Sequence, residues 1–140
     1  MSRIAILALF AIVATLGTAP APTCAGANPA IVSVAVENVA ANGALNTYHI
    51  TGTVTNLGSQ PQANNVLQFV DMYMAREKLD AKGIPPLAPG QSYTFAFDYQ
   101  RSHDAGNGST NLRFQIDMHQ PSPPTLEDCN PRNGTYTLTL

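Results

Sequence analysis

Apolar residues recur at every second position through most of this chain. SYTFAFDYQR (residues 92–101) puts Tyr93, Phe95, Phe97 and Tyr99 on one side. NLRFQIDMH (residues 111–119) sets Leu112, Phe114, Ile116 and Met118 against Arg113, Gln115, Asp117 and His119. YHITGTVTN (residues 48–56) opposes Tyr48, Ile50 and Val54 to His49, Thr51, Thr53 and Thr55, a half-buried strand with a threonine-lined outer face. IVSVAVENV (residues 31–39) groups Val32, Val34 and Val36, and TYTLTL groups Tyr136, Leu138 and Leu140. A period of two is the period of a strand, because successive side chains point to opposite faces. VLQFVDMYM (residues 66–74) is apolar on both sides except at Gln68 and Asp71, which predicts a central strand or one crossing the middle of the core. AREKLDAKG (residues 75–83) is the most densely charged stretch and fits either a short edge strand or a turn of helix. No segment repeats at the i, i+3, i+4 spacing of a helix over three turns.

Turn residues separate these pieces. Asn42-Gly43 is a turn signal, and LGSQPQANN and SHDAGNGST read as polar loops. Ala88-Pro89-Gly90-Gln91 suits a type II turn: Pro89 presets φ at the second position and Gly90 supplies φ > 0 at the third. That turn decides which side of the following strand faces inward, since a one-residue slip would expose its whole aromatic row. Six or seven short strands so punctuated predict an all-β fold, an immunoglobulin-like antiparallel sandwich of about seven strands in which two stacked sheets bury each other's apolar faces.

Composition narrows the use of such a fold. The net charge is −2 and 11% of the 140 residues are charged, so the clustered Lys/Arg that nucleic acid or anionic membrane demands is missing. Arg3 followed by the uncharged run IAILALFAIVATL (residues 4–16) reads as a signal peptide, shorter than the roughly 20 apolar residues of a membrane span. Ala25-Gly26-Ala27 is the best cleavage site, because cuts after Ala19 or Ala21 would leave proline next to the scissile bond. The expected organisation is a leader over residues 1–27 and one domain over residues 28–140, exported to the periplasm or beyond and not inserted in the membrane once cut. Cleavage after Ala27 would leave Cys129 unpaired, whereas cleavage upstream of Cys24 makes a Cys24–Cys129 disulfide available. Both cysteines precede terminal strands by similar lengths, so a sandwich would put them at the same end.

TGTVTNLGSQPQANN, IPPLAPGQSYTFAFDY and FQIDMHQ…LEDCNPRN follow one another as in the bacterial CARDB domain, whose pattern runs V-x-N-x-G, L-x-P-G-x-S, then an aspartate-ending strand and an E-x-N-x-x-N-like tail. The chain resembles that family from about Ala30 to Leu140. It departs at the tail, where Gly134 follows Asn133, and in holding a single module where such domains usually decorate larger proteins. FxLYD-type exported sandwiches are similar in the TGTVTN…LAPGQSYTF part. Either resemblance implies an immunoglobulin-like sandwich on an exported protein serving adhesion or binding.

Chemistry-bearing motifs are sparse. His49, His103 and His119 are scattered, without metal-ligand spacing. Asp117 and His119 share a strand face, and with Glu127 and Asp128 they are the metal or calcium candidates; a solvated polar face and self-bonded turn carboxylates explain them as well. Met72 and Met74 would suit Cu(I), but an apolar strand uses methionine for packing. No nucleophile elbow appears, and His103-Asp104 lies in a glycine-rich turn. Asn107 and Asn133 open N-x-S/T sequons, which matter only in a glycosylating host. The expectation is therefore a non-catalytic module without a cofactor, binding a protein or cell-surface glycan. Contact surfaces would be the 57–65 loop, the 103–109 loop and the threonine-lined face. The alternatives are a structural subunit pairing through edge strands, or a calcium- or metal-binding periplasmic protein.

Overall fold

Alternation along each strand decides which side is buried, and the computed structural model, which describes residues 24–103, 108–119 and 128–140, shows seven strands built on that rule. They are β1 (Pro29–Asn42), β2 (Leu45–Asn56), β3 (Leu67–Met74), β4 (Glu77–Ile84), β5 (Ser92–Ser102), β6 (Asn111–His119) and β7 (Thr135–Thr139), with a short 3-10 turn at Pro131–Asn133. Two antiparallel sheets result, one of order β1-β2-β5 and one of order β4-β3-β6-β7. This is an immunoglobulin-like sandwich of three strands on four.

The core lies where the two inner faces meet. Ile31, Val34, Ile50, Val54, Phe95 and Phe97 come from the three-stranded sheet, and Val70, Met72, Ile84, Leu112 and Phe114 from the other. Phe95, Phe97 and Phe114 form a triangle with centroids 5.7 to 6.1 Å apart, in the tilted and edge-on arrangements favoured by ring quadrupoles. Full burial of each ring stabilises by about 1.5–3 kcal/mol. Gly52 lies opposite Phe95 in the β2–β5 ladder, and a Cβ there would stand 2.7 Å from ring atom Cε2. The glycine of TGTVTN is the seat of that ring. The aromatic row of β5 fills the core only in its middle: Tyr99 is half-buried against Tyr48, and Tyr93 near the strand's start is 39% exposed.

β1 departs from strict alternation. Val32, expected beside Val34 and Val36, is 46% exposed, while Ile31 is buried. The ladder passes from Ile31↔Val54 to Ser33↔Thr53, so Val32 is the extra residue of a β-bulge. One extra residue reverses the facing of everything before it. A second bulge between Val36 and Asn38 leaves Glu37 without a Cα partner.

Residues 77–84 form a strand, not a helical turn. Ala75 takes φ +53° in the tight connection to β3, and β4 then runs along the sheet's outer edge. Lys82 and Asp80 are ion-paired at 2.9 Å, with the Lys82 ammonium 5.5 Å above the Phe97 ring. Charges of this kind on an edge oppose pairing with another chain.

Candidate functional site

Each expected contact surface has its own physical character. The 57–65 loop is a joint held from both sides. Asn56, 0% exposed, accepts at Oδ1 from the backbone N–H of Asn28 (2.9 Å) and Gly58 (3.0 Å), and donates from Nδ2 to the carbonyls of Gln60 (2.9 Å) and Leu87 (3.0 Å). Gln62 and Gln68, both buried, exchange two amide hydrogen bonds at 2.9 and 2.7 Å; Gln62 also accepts from Leu87 N, and Gln68 donates to Pro85 O. Sequence reading placed Gln62 in a solvated loop. It is buried because the IPPLAPG segment crosses over it. In that segment Gly90 has φ +74° and Gln91 N donates to Ala88 O at 2.9 Å, the handedness and bond of a type II turn.

The same end carries the disulfide. Cys24 and Cys129 are bonded, with Cα atoms 5.8 Å apart across a sequence separation of 105. Closing so long a loop stabilises by up to ~4–5 kcal/mol in the chain-entropy model. Beside it lies a cavity of 380 Å³ walled by Ile116, Met118 and Pro131, with Gln115, Asp128 and Thr135 as polar members. Burial pushes the Asp128 carboxyl above the ordinary aspartate range, opposed by a hydrogen bond from Asn130 N at 2.9 Å. Asn133 donates from Nδ2 to Asn28 Oδ1 at 2.9 Å, so the nitrogen of its sequon is engaged in the fold.

The threonine-lined face is broad and shallow. Thr51, Thr53 and Thr55 stand beside Ser33 and Ala35 of β1 and Ser92, Thr94 and Ala96 of β5. Its one strong polar feature is His49 Nδ1 at 2.5 Å from Asp98 Oδ1, a cross-strand pair 49 residues apart that no sequence spacing announces. Among the described residues no Phe or Tyr side chain projects there to anchor a partner. Of the 103–109 loop, residues 104–107, with Asp104 and Asn107, lie outside the described residues; His103 is exposed and its N–H donates to Ala44 O.

The outer face of the four-stranded sheet is different. Down β3 run Leu67, Phe69, Asp71 and Tyr73, opposite His119, Asp117, Gln115 and Arg113 of β6. The Arg113 guanidinium lies 4.4 Å from the Tyr73 ring centroid and donates to Gln115 Oε1. Asp71 is 1% exposed although it points away from the core; Lys78 Nζ covers it at 2.6 Å, and Tyr73 donates its hydroxyl proton to it at 3.2 Å. The hydrogen bond to Asp71 holds the Lys78 ammonium above its ordinary pKa, with burial opposing and the charges of Asp71 and Asp117 assisting. At the other end His119 meets the Phe69 ring edge-on at 5.8 Å, and Leu67 is 63% exposed. Rows of small residues flank this ridge, Ala81 and Gly83 on β4 and Thr135 and Thr137 on β7. Sequence reading missed the platform, although strand period alone places Phe69 and Tyr73 on Asp71's face.

The metal candidates are dispersed by comparison. His119 Nε2 and Asp117 Oδ2 stand 3.5 Å apart, Asp128 caps its own loop, and Glu127 lies outside the described residues. Among the described residues no three His, Cys, Asp or Glu side chains gather closely enough to hold a metal ion. Met72 is a core residue, and Met74 Sδ accepts from the Tyr99 hydroxyl.

No family model and no curated protein matches the sequence. Among solved structures the chain is similar to a domain described as part of a cell surface protein of Methanosarcina acetivorans, determined by solution NMR. The TM-score is 0.53 at 18% identity, over 82% of this chain and 90% of that one. Likeness at that identity is likeness of fold: both are β-sandwich domains.

Proposed function

We propose that this protein is an exported, non-catalytic binding module of the adhesion type, CARDB-like in its motifs, whose contact surface is the outer face of the four-stranded sheet. The observation that carries the reading is the Arg113–Tyr73 stack, held by Gln115 on one side and by the Asp71–Lys78 pair on the other. Arginine and tyrosine fixed before contact lose little entropy on binding, and such residues dominate the energetics of protein interfaces. The exposed Leu67 and the Phe69–His119 pair extend the platform with apolar area. The disulfide supports export, since such bonds persist in oxidising compartments. The surface-protein context of the Methanosarcina domain points the same way. The partner is a protein or glycan of the cell surface.

The test is saturable binding of the purified, oxidised protein to intact cells of the producing organism from which the gene has been deleted. Arg113→Ala should weaken binding about tenfold or more, as hot-spot truncations do, while Thr94→Lys on the opposite sheet leaves it unchanged. Equal binding by Arg113→Ala refutes the surface, and no saturable binding refutes the module. One observation favours assembly through a sheet edge instead. β1 runs 14 residues with Glu37 as its single charge and pairs on one side only, with β2. Sedimentation showing concentration-dependent oligomers would select that reading.

A further inference from the structure

Residues 24–28 are built into the domain, and this bears on how the exported chain is processed. Beyond the disulfide, Gly26 O accepts from Ser59 N (3.1 Å) and Gln60 N (3.4 Å), and Ala27 O accepts from Cys129 N (2.9 Å). Ala27 is 1% exposed and Asn28 7%. Gly58 is shaped for this segment: a Cβ there would stand 2.7 Å from Asn28 N and 2.8 Å from Ala27 C. The three atoms nearest such a Cβ all belong to residues 26–28, so this segment excludes a side chain at position 58. A cut after Ala27 would free Cys129, empty the seat over Gly58 and turn Asn28 N into an ammonium. That nitrogen donates to Asn56 Oδ1 at 2.9 Å in a buried site built for a neutral N–H. A buried charge without a counter-charge is strongly unfavourable.

We propose that leader removal cuts the chain at or before the Thr23–Cys24 bond, so that Cys24–Asn28 remains in the secreted domain as the strap closing its N-terminal end. The proposal rests on the export reading, and the experiment separates the two. The protein is recovered from the periplasm or medium of an expressing bacterium, its N-terminus sequenced, and its free thiols alkylated before and after reduction. The expected result is an N-terminus between the end of the apolar run and Cys24, with both cysteines labelled only after reduction. An N-terminus at Asn28, or an acyl group on Cys24, overturns the proposal. An uncut chain in the periplasm overturns the proposal alone, whereas a chain found only in the cytoplasm overturns the export reading and the proposal with it. Ala25→Lys supplies an independent arm. Ala25 is exposed, so the fold tolerates lysine, whereas a cut after Ala27 needs a small residue at that position. Unchanged processing in Ala25→Lys supports the upstream cut, and lost processing refutes it.

Discussion

Replacing Asn56 with alanine should destabilise this domain more than any other loss of a single polar group at the strap end. An amide side chain offers two lone pairs and two N–H donors, and all four are used here, at 2.9 to 3.0 Å. The main chain of Asn56 is also held, its N–H by Gln91 O and its carbonyl by Gly90 N. The residue therefore ties the strap, the 57–65 loop and the type II turn to the end of β2. At a net value of about 1 kcal/mol per hydrogen bond, alanine removes about 4 kcal/mol; entering water recovers part, and the partners left unpaired in a buried site add to the loss. We expect a loss of about 3–5 kcal/mol, a large share of the roughly 5–15 kcal/mol of a typical domain. Asn56→Asp discriminates the cause. It preserves shape and the two accepted bonds but turns a carboxylate oxygen toward the carbonyls of Gln60 and Leu87, so it should cost nearly as much as alanine. Urea unfolding of the oxidised protein is the assay, with the slope checked for constancy. A loss below about 1 kcal/mol for alanine, or a harmless aspartate, would refute the hub.

Two further changes probe single causes. A Cβ at Gly90 would meet nothing within 4 Å, so the positive φ is the main cost of Gly90→Val, about 1–2 kcal/mol or more; an unchanged urea midpoint would mean that the turn relaxes to another form. Asp128 has a folded pKa raised by burial, so the carboxyl binds its proton more tightly folded than unfolded, and stability falls as pH rises through the carboxylate range. Asp128→Asn keeps the acceptor for Asn130 N without the charge, so it should stabilise at neutral pH. The gain should vanish once pH drops below the unfolded carboxylate pKa, and a gain that persists in acid would point to another cause.

Much of the candidate site was legible residue by residue but not as a constellation. Asp117 and His119 share a face through strand period alone, and they do lie side by side. Asp71 stood out as a charge in an apolar strand, yet its counter-ion Lys78 belongs to a segment whose form was open between strand and helix. His49 and Asp98, or Arg113 and Tyr73, are joined only by the register of paired strands. The sequence by itself determined the all-β class, six of the seven strands and most of the core, because a period of two is a local property that every residue on a half-buried strand carries. Ile50, Val54, Phe95, Phe97, Leu112 and Phe114 are buried for that reason. The tertiary structure alone decided the bulge that turns Val32 outward, the covering of Gln62 and Asp71, and the place of residues 24–28 inside the domain. These depend on which distant segments meet, and a polar residue that will be covered by a chain many positions away has the same local sequence as one left in water.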